Sequence, residues 1–570
     1  MIKRYCSVLA ATTTFILVGA TSLVHADGGD TTQRALQKGQ DLIREAQTPL
    51  SLPSTPAKQE ASTPTLDRST TDMSPETVKQ FDSKTCYHID AYQLISNKPK
   101  LADTLISRSM KEWIGQNKAD CVNKDDLFEL IKKSTNIVLN KGYVTSLVFY
   151  PEQNLNTHEL TLNVQFGLIE KIKSDQISDR QIKFAFAKKM GDVLNLKDIE
   201  QGLANLKKIT SIDAAIDLIP GNTEYQTIVQ VNTNKTGSET RVLSQWSASH
   251  SDLSRRLRGA LTVQVDDLLA LNDALSMGVS KSLYDSADDD STGYNISWSI
   301  PYGYYGLNMG INNSDYESSI QGSQSTISSN GDQINLFLEL SRLLWNDTSK
   351  NESLSMKLQQ TKAKTYLNNE KVFVSSPDIN KIGLSASGYH VLSGNVICQN
   401  DITYEVGRVE YDHFDHLNFD KQKLSLGCDL RLKKAKMSVS TALQYANKPL
   451  VSQEQFSLTG EGGIAGFSSL GLSGSRAGSL KVTWAQPLVI TSDLIHDSQW
   501  SMSVAKGWVP HTTANTQSGS LMGIEASFLF RIGRVNAQMF VSKGLKSYSS
   551  DGYGKEGIES GLVLSIPLAR

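Results

Sequence analysis

Chemistry in this chain would have to come from its thiols, its carboxylates or its nine histidines, and the spacing of each is open to inspection. Five cysteines are present, and with Cys6 inside the first 26 residues four remain: Cys86, Cys121, Cys398 and Cys428. No Cys-x-x-Cys and no adjacent His pair accompanies them, so they form no zinc pattern and no metal site is assigned. An even thiol count in an exported chain points instead to disulfides, and the expected pairings are Cys86 with Cys121 and Cys398 with Cys428. The histidines are scattered, and no Gly-x-Ser-x-Gly, His-Glu-x-x-His or phosphate-cradling Gly-Lys-Ser/Thr string occurs. The carboxylate run Asp288 to Asp290 reads as a solvated turn. The chain is therefore read as no enzyme, with no catalytic residue and no cofactor. With 57 basic and 59 acidic residues it also lacks the basic footprint that nucleic acid demands.

The elements that would position any working residue are exported ones. Residues 1–26 place Lys3 and Arg4 before an apolar run, Val8 to Val18, and end Val24-His25-Ala26, the layout of a signal peptide cleaved after Ala26. That run is short and broken by Thr12 to Thr14, whereas a spanning helix needs about 20 apolar residues. No such run follows, so an exported chain with a strand-rich second half could span a membrane only as a closed barrel. Residues 27–47 contain a weak amphipathic helix, Thr31 to Gln47, with Thr31 or Thr32 as N-cap. Residues 48–83 carry Pro49, Pro53, Pro56, Pro64 and Pro75 among Ser, Thr and charged residues, an extended flexible linker.

Two units of the same plan follow. Residues 84–167 give a strand (Tyr87 to Leu94), helices (Leu101 to Gln116 and Lys124 to Asn140) and two strands (Val144 to Pro151 and Glu159 to Phe166). Tyr143, Leu147 and Phe149 are expected to pack in the core. Residues 168–236 repeat the order with a strand (Ile169 to Ser174), helices (Asp179 to Lys189 and Leu196 to Lys208) and strands (Ile212 to Ile219 and Glu224 to Asn232). From 237 to 570 short alternating segments are separated by Gly, Asn, Asp and Ser. In Ser479 to Leu488 the residues Leu480, Val482, Trp484 and Leu488 share a face, and in Glu559 to Leu568 so do Ser560, Leu562, Leu564, Ile566 and Leu568. An apolar outside over a small or polar inside suits a lipid-embedded barrel, and the segments number about sixteen.

Gly142 to Gly167 reads GYVTSLVFYPEQNLNTHELTLNVQFG, and Leu194 to Leu206 with Leu218 to Gly221 reads LNLKDIEQGLANL…LIPG. These strings resemble the polypeptide-transport-associated (POTRA) domains of two-partner secretion transporters of the haemolysin-activator type. The resemblance implies an outer-membrane β-barrel of about sixteen antiparallel strands preceded by two periplasmic α/β POTRA domains. It implies further that the N-terminal helix is a plug in the pore and that a loop, residues 457–478, folds into the lumen. Such a protein exports an unfolded exoprotein with an N-terminal secretion domain, a haemolysin, adhesin or contact-dependent toxin. It would sit as a monomer in outer-membrane lipid of a Gram-negative bacterium, placed there by the barrel-assembly machinery. A barrel insertase fits less well, since two POTRA domains are few and the PEQ.L string is wrong for it. A passive porin or receptor with anchoring periplasmic domains is the reading from another class.

In that family the loop tip carries Val-Arg-Gly-Tyr or a close variant, whose arginine pairs with an aspartate on the barrel wall. Here the tip reads Gly463-Ile464-Ala465-Gly466-Phe467 and the wall counterpart Ala505-Lys506-Gly507, so alanine stands at both places. Removing both partners of a desolvated ion pair is nearly neutral where removing one is costly. Phe467 is expected to dock the tip on the wall, and Glu461 with Lys506 or Arg476 is expected to supply a substitute pair.

Overall fold

The computed structural model describes residues 87–569 apart from 118–121, 252–254, 285–288, 322–325, 348, 413–414, 460–462, 468–470, 491–493, 516 and 550–556, together with Lys38, Gln40, Arg44 and Gln47. The signal peptide, the linker, Cys86, Cys121 and Glu461 lie outside the described residues.

The first domain runs β1 (Ala91–Ser96), α1 (Pro99–Asn117), α2 (Lys124–Asn140), β2 (Leu147–Phe149) and β3 (Glu159–Gln165). Its sheet has the order β1-β3-β2, with β1 parallel and β2 antiparallel to β3. Proline at the first position of α1 costs no helical hydrogen bond. Asn123 starts α2 with a capping box, accepting from the Asp125 and Asp126 amides while Asp126 accepts from the Asn123 amide. Ile106, Met110, Leu127, Leu130 and Ile131 of the helices close over Leu160, Leu162 and Val164 of β3, all fully buried. The first strand begins four residues later than expected, because Tyr87 only bridges Val122. Tyr143 and Phe149 pack against this core as expected. Leu147 does not, being 56% exposed on the edge strand β2, where alternation turns its side chain out.

The second domain runs β4 (Leu168–Lys173), α3 (Asp179–Ala185), α4 (Leu196–Leu206), β5 (Ile212–Pro220) and β6 (Gln226–Lys235), its sheet ordered β4-β6-β5. Helix α3 stops at Ala185, short of the expected Lys189. Phe186 turns to extended backbone and buries its ring over Gly202 of α4, where any side chain would collide with it.

The two glycines that bound the GYVT string make the joint between these domains. Gly142, at φ +94°, accepts the Leu196 amide at 2.8 Å, and a Cβ there would strike Asn195, whose amide donates to Lys141 at 2.9 Å. Gly167 accepts the Leu194 amide at 2.9 Å and lies against Thr145.

The barrel begins β7 (Thr240–His250), β8 (Arg255–Asp266), β9 (Ala274–Tyr284), β10 (Asp290–Tyr302), β11 (Tyr305–Gln321) and β12 (Thr326–Asn346). It continues β13 (Lys350–Leu367), the two-residue β14 (Glu370–Lys371), β15 (Asp378–Ser393), β16 (Val396–Glu410), β17 (Leu417–Arg431) and β18 (Lys436–Ala446). A short hairpin of β19 (Phe456–Ser457) and β20 (Ser473–Gly474) precedes β21 (Ala477–Pro487), β22 (Ile495–Val509), β23 (Gly519–Ile532), β24 (Val535–Ser549) and β25 (Ile558–Ala569). Among the described residues, sixteen long antiparallel strands close where β25 meets β7, pairing Ser560 with His250. Closure leaves no unpaired sheet edge, which hydrocarbon would not tolerate.

Outward positions are apolar: Ile334, Leu336, Leu338 and Leu340 alternate along β12, and Leu480, Val482 and Trp484 along β21, all exposed. The alternation expected for Glu559 to Leu568 holds too, with Leu568 exposed and Ser565 buried.

The second domain is fixed to the turns at one end of this barrel. Gly303, between β10 and β11, donates to the Phe184 carbonyl at 2.9 Å and accepts from the Asn205 amide at 2.7 Å. Beside it, Tyr304 donates to Asp198 at 2.6 Å. Burial, reinforced by that carboxylate, pushes the Tyr304 phenol well above its ordinary range, so it keeps its proton and stays a donor. Asn272 donates to the Gln181 carbonyl at 2.8 Å, and Asp266 accepts the Ser211 amide at 3.0 Å while pairing with Arg241.

Candidate functional site

The described residues of the segment between β18 and β21, residues 447–476, lie in the lumen and enter it from the end opposite the second domain. The segment starts ten residues before the expected 457, since β18 ends at Ala446, and Ala477 and Gly478 already belong to β21. Its base is pinned by Arg476, whose Nε donates to the Ala446 carbonyl at 2.8 Å and whose guanidinium lies 4.6 Å over the Tyr445 ring. Asn515 bonds both the amide and the carbonyl of Arg476, each at 2.9 Å. The β19–β20 hairpin turns the chain, and the Ile464 amide closes on the Leu458 carbonyl at 2.8 Å.

The tip is held by shape and apolar contact. Ile464 and Phe467 are buried with Leu458 and Leu472 against Ala505, Val509 and Leu521 of the wall. The wall is hollowed where they land: Ala505 stands opposite Gly523, and Gly523 opposite Gly544, on β22, β23 and β24. A Cβ on Gly523 would strike the Ala465 carbonyl, one on Gly544 would meet Phe467 at 2.7 Å, and one on Gly507 would meet Leu458 at 2.5 Å. Gly466 turns the tip at φ +81°, with its Cα against the Lys543–Gly544 backbone.

This packing gives the double alanine a physical reason. A carboxylate at 505 would be buried beside Ile464 and Leu458, with no counter-ion in that cluster among the described residues. Phe467 docks as expected. Of the two cations expected to form a substitute pair, Lys506 is exposed on the outward face of β22, the side opposite to Ala505 and Gly507, and Arg476 holds the loop base. Glu461 lies outside the described residues.

Charge does hold the loop, at a place sequence reading missed. Glu454, in the turn Ser452–Glu454, meets Lys381 of β15 at 2.9 Å and also Lys421 of β17, with Glu405 of β16 alongside. Nothing local marks Glu454, whose partners lie 73 and 33 residues away.

The four described N-terminal residues are helical and bond inside the lumen. Lys38 pairs with Asp289 at 2.5 Å, Arg44 donates to the Ser452 carbonyl at 2.7 Å, Gln40 to the Ser452 hydroxyl, and Gln47 to Ser314 at 3.0 Å. Asp289 is thus not the solvated turn residue its acidic neighbours suggested, since its other oxygen accepts the Ser319 amide at 2.9 Å. Cys398 and Cys428 stand directly opposite on β16 and β17 and are joined.

The chain matches known proteins along most of its length. The model of the haemolysin secretion/activation protein ShlB/FhaC/HecB family matches residues 226–528, a ShlB-type POTRA domain residues 102–167, and a further POTRA domain residues 168–220. The outer membrane transporter CdiB of Dickeya dadantii is 26% identical over 62% of this chain and 65% of its own length. The hemolysin transporter protein ShlB of Serratia marcescens is 24% identical over 77% of this chain and 80% of its own. The match to CdiB-2 of Burkholderia pseudomallei, 28% identical, spans 43% of that protein, so the shared length varies from under half to about four fifths. The solved structure of CdiB from Acinetobacter baumannii superposes with a TM-score of 0.73, covering 96% of this chain and 100% of that one at 21% identity, a likeness of fold. With sixteen closed strands, two domains of POTRA type and a loop in the lumen, the chain belongs to the haemolysin secretion/activation protein ShlB/FhaC/HecB family, outer-membrane barrels with periplasmic POTRA domains.

Proposed function

We propose that this protein takes an unfolded exoprotein from the periplasm and passes it through its barrel across the outer membrane. The observation that carries the reading is the filling of the lumen. The four described N-terminal residues are held by hydrogen bonds and the Lys38–Asp289 ion pair to the wall and the inward loop, contacts that water can replace one by one as they leave. The hydrogen-bonded seat of the second domain on the barrel turns supports delivery of a client to the mouth of the pore. An extended client could add a strand to an open edge such as β2 or β5, which gives main-chain affinity with little demand on sequence.

The client we propose is a haemolysin, adhesin or contact-dependent toxin with an N-terminal secretion domain. No ATP is required, because folding outside draws the chain forward. The transporter works as a monomer in outer-membrane lipid and is inserted by the barrel-assembly machinery. Deleting the gene should trap the exoprotein in the periplasm, read by fractionation and blotting, and plasmid-borne copy should restore its release. A deletion that changed only solute permeability would replace export with passive porin activity.

A further inference from the structure

We propose that Glu454 is the latch that holds the inward loop to the barrel wall in this chain and, through its turn, seats the N-terminal residues. This rests on the transport reading for its purpose but not for its geometry. The Glu454 side chain is 4% exposed, and both its oxygens accept from Lys381, at 2.9 and 3.0 Å, while one also meets Lys421. Its carbonyl is held as well, by Lys421 at 3.1 Å and by Gln444 at 3.0 Å. One loop residue is therefore gripped by side chain and main chain from three strands, β15, β17 and β18. Among the described residues the tip makes no comparable polar contact, its hold being apolar.

The charges explain why the grip is specific. Lys381, Lys421 and Lys423 face Glu405 at 3.7, 3.2 and 3.0 Å. Without Glu454, Lys381, Lys421 and Lys423 would keep only Glu405 as an ion-pair partner among the described residues, so the wall draws the loop back whenever it leaves. The same turn faces the other way through Ser452 and Gln455, whose carbonyls accept from Arg44 at 2.7 and 3.5 Å. The latch that fixes the turn therefore fixes the platform on which Gln40 and Arg44 rest. Beside the ionic contact, Leu450 and Val451 pack on Ile379, Val409 and Phe419 of β15, β16 and β17, so opening the latch also lifts this small apolar contact from the wall.

The purified full-length protein in planar lipid bilayers gives the readout without any client. Glu454→Gln and Lys421→Met should each raise the open-channel fraction about tenfold, and the double variant should rise no further than either single, the mark of a direct pair. Wild-type gating in Glu454→Gln, with the barrel folded by its heat-shifted gel mobility, would overturn the latch, and so would additive effects. Should Glu454→Gln fail to assemble, Lys381→Met leaves the glutamate in place and must show the same rise. If gating changes as stated while deletion of the gene leaves exoprotein release intact, the transport reading fails and the latch stands.

Discussion

Glycine and alanine, rather than charge, decide how the loop tip sits. Gly507, Gly523 and Gly544 hollow the wall under Leu458, Ala465 and Phe467, and Ala505 completes the floor. Ala505→Asp should therefore damage docking, since an unpaired buried carboxylate costs about 3–5 kcal/mol. Protease cleavage within 447–476 on intact cells would report it as a loop that becomes cleavable. Adding Ala465→Arg should recover part of the protection by restoring a counter-ion, and a double variant as cleavable as Ala505→Asp would mean that the site has no room for the pair. The two alanines were legible in the sequence as a departure from family pattern. The glycines were not, because they fall on three strands whose alignment only the register supplies.

At the level of elements, the GYVT string proves to be a joint. Its two strands close the sheet of the first domain, β2 pairing with β3. Its first glycine nevertheless serves the neighbouring domain, receiving the amide of Leu196 at the start of α4. Gly142→Val should cost about 1–3 kcal/mol, since it combines a positive φ with a collision against Asn195. Hydrogen exchange should show faster opening at Leu194 and Leu196 in the variant, with helix α2 protected as before. Unchanged exchange at those amides would mean that the joint bears no strain from the substitution. Helix α3 teaches a related lesson. Its expected end at Lys189 followed local propensity, whereas the helix ends at Ala185, where the Phe186 ring lies on Gly202 and the last carbonyls, of Phe184 and Ala185, accept from Gly303 and Asn205.

The whole molecule is a tube with its apolar surface outside, so charge is tolerated inside and punished outside. Leu338→Arg, near the middle of β12, should cost about 2–4 kcal/mol of barrel stability and lower the yield of heat-shifted, folded protein. An unaltered yield would place that face of β12 out of contact with hydrocarbon. The sequence by itself determined what depends on near neighbours along the chain: the repeated α/β units, the period-two strands and their approximate number. Those features follow from side-chain alternation and from turn and cap residues a few positions apart. Only the tertiary structure decided which charges hold the inward loop. Glu454, Lys381 and Lys421 look like any other charges until closure of the barrel brings three strands around one loop turn. Asp289 likewise gains its role only when Lys38 enters the lumen. Coulombic and packing contacts act through space, and in a closed barrel neighbours in space come from strands far apart in the chain.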